Sequence, residues 1–411
     1  MKMRKILSLL LACVMLCAAL VSCSAPVEDS GSDTDLSGTY KITMWVSEKE
    51  GVAEQFKAQI DAFMKANPGI VIEASIEGVA EGDAGSKIIA DVASAPDIYC
   101  FAQDQLARLV QAAALAKPGK SAVESIKANN DSGSVAAATV SGEIYAYPMT
   151  SDNGYYLYYD KSVITNPDDL AAMVNDCVRA GKKFRFALEN AWYTASFFFA
   201  TGCKSEWTMD QSGKFTAVKD TFNSKEGIAA MKGMQILTQS SCYDSNADIF
   251  TDAAAVVTGI WNAEAAEEHF GENLAATDLP SFTVDGKSYH LGSFSGNKLM
   301  GVKPQSDAKR GAVLSLLAQY LTGEECQKQR YDSFQWGPSN KVVQASAEVQ
   351  ANPSLAALAK QNEYGQPQGQ IHGGWWDIAR VLGADSKAAK TEADIKRALE
   401  GYETAVNNLL K

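Results

Sequence analysis

The chain has 411 residues, 46% of them hydrophobic and 21% charged, and 49 Asp and Glu against 37 Lys and Arg give a net charge of −12. That length exceeds what one hydrophobic core usually covers, so two lobes are expected. The acidic balance, with no dense basic run after the first few residues, argues against a nucleic-acid partner.

Lys2, Arg4 and Lys5 precede an apolar stretch, Ile6 to Leu20, that is short for a membrane span and is followed by small residues. This is the pattern of a secretory signal. Leu20-Val21-Ser22-Cys23 resembles the bacterial lipobox, in which cleavage precedes a cysteine that then carries lipid; an ordinary signal with an incidental cysteine is the other reading. Residues 1–22 are read as the signal, and their loss, with three positive and no negative charges, deepens the net charge to −15. Residues 23–39 are read as a lipidated flexible tether, because Ser, Gly, Asp and Glu dominate from Ser24 to Gly38 and offer almost nothing to bury. Of the eight cysteines, Cys13 and Cys17 leave with the signal. Cys100, Cys177, Cys203, Cys242 and Cys326 are scattered with no CxxC spacing, so buried free thiols are expected rather than a disulfide framework or a zinc site.

From Tyr40 the pattern alternates strand and helix. Tyr40 to Val46 alternates apolar and polar residues. Val52, Phe56, Ile60 and Phe63 then recur at helical spacing until Asn67-Pro68-Gly69. Ile70 to Ile76 reads as a strand, the region of Ile88, Ile89 and Val92 as a helix, Ile98 to Ala102 as a buried strand and Gln105 to Ala114 as a helix. Such alternation predicts a mainly parallel sheet covered by helices, with ligand at the carboxyl ends of its strands. Tyr145 to Asp160 comprises two aromatic-rich, strand-like segments around Asp152-Asn153-Gly154, which reads either as a hinge between lobes or as a hairpin within one sheet; Pro148 puts the first segment at an edge. The alternation then resumes, with a helix after Pro167, a strand at Phe184 to Leu188, a helix through Phe197 to Phe199 and a strand at Val256 to Ile260. The last third is mostly helical.

No catalytic signature emerges. His269, His290 and His372 are far apart with no HExxH, and neither a GxSxG turn nor a P-loop occurs. The run Asp244-Ser-Asn246-Ala-Asp248 begins like a calcium loop but has Ile249 at its sixth position and Ala255 at its twelfth, so neither metal nor cofactor is expected. Aromatic and carboxylate residues do cluster near strand and helix ends: Phe101 and Asp104, Trp192, Trp261, and Trp375-Trp376. Flat rings accept the apolar faces of pyranoses while carboxylates and amides take hydroxyls. Each also has an ordinary role open to it, a helix cap for Asp104 and core packing for Phe101, Trp261 and Trp376.

On Ala95-Pro96-Asp97-Ile98 leading to Asp104, Gly142 to Pro148, Tyr158-Tyr159-Asp160-Lys161, Gly259-Ile260-Trp261 and Tyr320 to Glu325, the chain resembles the substrate-binding proteins of bacterial carbohydrate ABC importers, most closely the maltose/maltodextrin type. The resemblance implies a two-lobed periplasmic-binding-protein-like α/β fold with a hinge and an interlobe ligand cleft. The lobes would be residues 40–150 plus 296–336 and 151–295 plus 337–411, with crossings near Thr150–Tyr155, His290–Gly296 and Trp336–Lys341. It also implies sugar-contacting roles for Glu48, Lys49, Phe101, Asp104, Asp152, Trp192, Trp261 and Trp376. Gln105, Phe101 and Asn190 depart from the family's arginine, tryptophan and glutamate at those positions. The functional expectation is a monomeric, non-catalytic receptor outside the plasma membrane, anchored through lipid on Cys23, that delivers malto-oligosaccharide to permease subunits. A β-linked or galactose-containing oligosaccharide is the alternative ligand, and a secreted glycoside hydrolase is a third reading.

Mass spectrometry of the mature N-terminus is expected to find lipid on Cys23, and Cys23→Ala is expected to release the protein from the membrane. An unmodified Cys23, or cleavage elsewhere, contradicts the lipoprotein reading.

Overall fold

The structure is a computed structural model that describes residues 35–210 and 214–411; Cys23 and the signal lie outside the described residues. The first strand, β1 (Gly38–Val46), starts inside the stretch expected to be tether, because Gly38 N–H already donates to the Gly69 carbonyl. Tyr40, Ile42, Met44 and Val46 of β1 face the core in alternation. Helix α1 (Val52–Ala66) buries Val52, Phe56, Ile60 and Phe63 on one face, and Asn67, whose side chain donates to the Phe63 carbonyl at 2.8 Å, ends it. Then follow β2 (Ile70–Gly78), α2 (Glu81–Ala90), β3 (Ile98–Ala102), α3 (Leu106–Gln111), β4 (Tyr147–Thr150) and β5 (Tyr156–Asp160). Next come α4 (Leu170–Ala180), β6 (Lys183–Arg185), α5 (Ala191–Ala200), α6 (Lys225–Thr238), β7 (Tyr243–Asp244), β8 (Ala253–Thr258), α7 (Ala263–Phe270), β9 (Leu274–Thr277) and β10 (Lys298–Val302). The chain finishes with α8 (Ala308–Leu321), α9 (Glu324–Phe334), α10 (Pro353–Asn362), α11 (Trp375–Ala379), α12 (Val381–Ala388) and α13 (Glu392–Asn408).

Two five-stranded sheets organise these elements. The first has the order β2-β1-β3-β10-β4, parallel from β2 to β3, with β10 antiparallel to both its neighbours. Pro148 lies in β4, the edge strand, where its missing N–H leaves no central ladder broken. The second has the order β7-β6-β8-β5-β9, with β5 antiparallel to β8 and β9. Since β4 and β5 fall in different sheets, Tyr145 to Asp160 is a crossing and not a hairpin.

One core surrounds the first sheet and reaches Trp336; a second, on one face of the other sheet, gathers Phe184, Phe197, Trp375 and Tyr402. A third packs Tyr156 and Tyr158 of β5 against Ala357 and Leu358 of α10 on the opposite face. The hairpin of Ser205–Met209 with Phe215–Asp220 and helix α6 stand outside the alternation legible in sequence. All five cysteines of the folded body are buried and free.

Helix α12 crosses the end of the second sheet so closely that a Cβ on Gly383 would lie 1.5 Å from the Leu188 carbonyl oxygen. Leu188 leads into Asn190 and Trp192, so this contact fixes the start of α5. Gly383→Ala is expected to lower unfolding stability by about 1–3 kcal/mol or more, read by urea denaturation, because backbone on both sides must move.

Candidate functional site

A cleft of about 1150 Å³ opens between the two sheets. Its first wall is built from the residues that follow the parallel strands: Ser47, Glu48 and Lys49 after β1, Ala80 and Glu81 after β2, and Asp104 and Arg108 after β3. Side chains there are free of ladder geometry and of neighbouring strands, which is why sheets of this kind bind ligands at these ends. The facing wall comprises Asn153, Asn190, Trp192, Trp261, Glu264, Gln368 and Trp376.

The first wall is polar. Lys49 reaches across the cleft to Glu264, Nζ to carboxylate 3.7 Å, an exposed pair that ties the walls weakly. Glu81 and Lys298 form a secluded ion pair at 3.6 Å at the base. Asp104 sits in a short turn after β3; burial pushes its carboxyl up to about 7, while Arg108 pulls it the other way. Gln105 is buried, and its amide donates to the Glu81 and Gly82 carbonyls at 2.9 and 2.6 Å while its oxygen accepts from Gly85 N–H. It holds the N-terminal turn of α2 in place and has nothing left for a ligand.

The second wall is aromatic. Asn190 caps α5, accepting from Trp192 N–H at 3.0 Å, and the Tyr155 hydroxyl donates to the Trp192 carbonyl at 2.8 Å. The Trp192 ring rests on Tyr155 and Tyr193, centroids 4.7 and 5.1 Å away. Trp261, in the turn after β8, stands 5.8 Å from Trp192 at 37°. Its ring lies over Gly259, where a Cβ would come within 2.1 Å of it, so the glycine of Gly259-Ile260-Trp261 makes room for the platform. Trp376 is half-buried against Phe294 and Trp375, whereas Trp375 is fully buried and donates from its indole to the Tyr402 hydroxyl at 2.8 Å. Helix α11 thus turns one tryptophan to the core and the next to the cleft.

Six residues singled out from sequence therefore line one cleft: Glu48, Lys49, Asp104, Trp192, Trp261 and Trp376. Two do not. Phe101 has no exposure; β3 is central and covered on both faces, and its ring packs beside Tyr99 in the core. Asp152 is buried 2% exposed at the crossing, where Oδ2 accepts from Gly337 N–H at 2.6 Å. Burial pushes its carboxyl up, and Lys298 draws it back. Its neighbour Asn153 takes the cleft position and donates to Gln368 Oε1 at 3.2 Å. Glu81, Arg108, Lys298 and Gln368 also line the cleft without having been marked; only Glu81, just past a strand end, carried a signal that could have found it.

A fold of two α/β sheets with a deep cleft between them, rings on one wall and charged groups on the other, defines a ligand-binding protein whose lobes meet around a solute. The chain belongs to the bacterial extracellular solute-binding protein family, whose pattern it matches over residues 58–357. Its body therefore acts outside the cytoplasm, and no helix among the described residues is long and apolar enough to cross a membrane. A solved structure described as being with acarbose is 30% identical, covers 91% of this chain and 100% of its own, and superposes with a TM-score of 0.79. A maltodextrin-binding protein, MalE1 from L. casei BL23, is 21% identical over 91% of this chain and 100% of its own, TM-score 0.76. A cyclo/maltodextrin-binding protein complexed with maltotetraose is 20% identical over 90% and 96%, TM-score 0.70. These neighbours share the two-lobed fold. No curated protein matched the sequence.

The two adjacent tryptophans offer a clean separation of roles. Trp375→Ala is expected to lower stability by about 3–5 kcal/mol, and Trp376→Ala to melt much closer to wild type, by differential scanning calorimetry. Asp104 gives a pH signature in the ligand-free protein. Its folded value lies above the unfolded one, so its contribution is fully present below about 4 and is lost as pH rises through about 7. Asp104→Asn should therefore gain stability relative to wild type as pH rises from 4 to 8; a constant difference would show that Asp104 is not shifted.

Proposed function

We propose that this protein is the receptor of a carbohydrate ABC importer: anchored outside the membrane through lipid on Cys23, it captures malto-oligosaccharide in the interlobe cleft and hands it, as a monomer, to membrane-spanning permease subunits. The observation that carries the ligand class is the aromatic wall. Trp192, Trp261 and Trp376 present three half-buried rings opposite Glu48, Asp104 and Lys49. An α-glucan curves, so successive pyranose faces can meet rings set at angles to one another, while its hydroxyls meet the polar wall. The acarbose and maltotetraose complexes of similar proteins support the same class.

Residues 40–150 plus 296–336 form the first lobe in this reading, and 151–295 plus 337–411 the second. A ligand closes them only through contacts better made in the closed form. Glu48, Lys49 and Asp104 would hold the sugar from the first lobe and the three tryptophans from the second. The protein binds and releases; it breaks no bond.

The test is a thermal-shift and calorimetry panel of maltotriose, maltotetraose, cellotetraose and raffinose. A ligand at about a hundred times its Kd adds about 2.7 kcal/mol to stability. The α-glucans are expected to bind and to make the protein more compact by small-angle scattering. A shift with cellotetraose or raffinose and none with the α-glucans assigns the site to another oligosaccharide, and appearance of shortened sugar would make the protein a hydrolase.

A further inference from the structure

Arg108 lines the cleft, and among the described residues its side chain makes no hydrogen bond or ion pair. Its Nε is enclosed without a partner. Its electrostatic neighbours are Asp104, four residues earlier in the chain, and His372. The histidine does not oppose the arginine's charge: burial and then Arg108 itself keep it below its ordinary range, and its Nδ1 accepts from Gly374 N–H at 3.1 Å. A guanidinium offers five N–H donors in a fixed plane, and leaving such donors unmet in a half-buried place is costly.

The surroundings keep that guanidinium in position without using it up. From the second lobe, the segment Gln368 to Gly373 folds against the β3–α3 turn. Gln103 donates to the Gln368 carbonyl at 2.5 Å, and Ala107 N–H donates to Gln370 Oε1 at 2.8 Å. Gly373 then lies over the arginine, and a Cβ there would fall 2.7 Å from Arg108 Nη1. Gln105, the residue at which the resemblance would place a ligand-contacting arginine, is consumed by the backbone of α2. The Asp104 carboxylate likewise has no side-chain hydrogen-bond partner among the described residues.

Resting on the ligand class proposed above, we infer that Arg108 is a specificity-determining residue: with Asp104 it forms a clamp for a vicinal diol of the bound sugar, one hydroxyl donating to the Asp104 carboxylate and its neighbour accepting from the Arg108 guanidinium. A vicinal diol on a pyranose holds one donor and one acceptor side by side, which a carboxylate without a side-chain partner and an unpaired guanidinium four residues on can take together. The clamp selects neutral sugars with adjacent equatorial hydroxyls and gives the first lobe a directional grip that the tryptophan faces lack.

The experiment is calorimetry with maltotriose on wild type, Arg108→Gln, Arg108→Lys, Asp104→Asn and the double variant Asp104→Asn/Arg108→Gln, each first checked for folding by its melting curve. Arg108→Gln is expected to weaken binding about 10- to 100-fold, Arg108→Lys less, and the double variant far less than the product of the singles, because either change breaks the clamp. Wild-type affinity should fall as pH drops through about 7, and Arg108→Gln should move that fall to higher pH, since the carboxylate loses its cation. Gly373→Ala, which displaces the guanidinium without removing it, should weaken binding in the same direction. If wild type binds maltotriose and Arg108→Gln binds it within about twofold with an unmoved pH profile, the clamp is refuted while the α-glucan reading stands. If wild type binds no α-glucan, both fall. If Arg108→Gln fails to fold, the Arg108→Lys affinity and the Gly373→Ala shift decide.

Discussion

Backbone that leaves one sheet for another must satisfy its polar groups without a ladder, and the structure depends on how it does so at the crossing. Ser151 N–H donates to the Gly337 carbonyl at 3.0 Å, Gly337 N–H to Asp152 at 2.6 Å, and Asn153 N–H to the Gly296 carbonyl at 3.1 Å. Three chain passages thereby serve as one another's partners. Asn297 completes the set from a buried position: its amide donates to the Thr150 carbonyl and to Ser134, and its backbone exchanges hydrogen bonds with Gln103. An unpaired buried amide costs about 1–3 kcal/mol, so the arrangement is held as a unit. Through Gln103 it connects directly to the turn that carries Asp104.

That connection explains why a carboxylate expected at the ligand is spent elsewhere. Asp152 stabilises the passage, and a Cβ on Gly337 would collide with it at 2.8 Å. Asn153, free of that duty, points its amide to Gln368 in the segment that also closes over Arg108. Crossing, cleft wall and second-lobe segment are therefore mechanically continuous. In the proposed function, a solute that pulled Asp104 and the aromatic wall together would act on the same hydrogen bonds that join the two sheets' crossings.

Much of this was legible in sequence, for identifiable reasons. The spacing of Val52, Phe56, Ile60 and Phe63, the Asn67-Pro68-Gly69 stop and the alternation of β1 are strong signals because one face of each element is buried and the other is wet. Tyr-Tyr-Leu-Tyr-Tyr reads as a strand for its β-propensity, and Trp261 stands out because it directly follows the apolar strand Val256 to Ile260. Phe101 was not legible: every residue of β3 is buried, so no alternation says which face meets a ligand. The residue pattern alone does not separate Trp375 from Trp376; the resemblance points to Trp376, and the packing of α11 against Tyr402 is what turns the Trp375 ring inward. In sequence Arg108 is one charge within the helix read from Gln105 to Ala114, and its lack of a hydrogen-bond partner among the described residues depends on three-dimensional neighbours alone. Helix α6, rich in glycine, alanine and methionine, has too little contrast between its faces to announce itself.

Everything proposed for this protein requires that a malto-oligosaccharide bridge the two walls of its cleft. A crystal structure of the protein with maltotriose tests it most directly. Density for the sugar is expected between the sheets, with pyranose faces against Trp192, Trp261 and Trp376 and hydroxyls at Asp104. Density confined to another surface, or a sugar held in the cleft with none of these rings in contact, would contradict it.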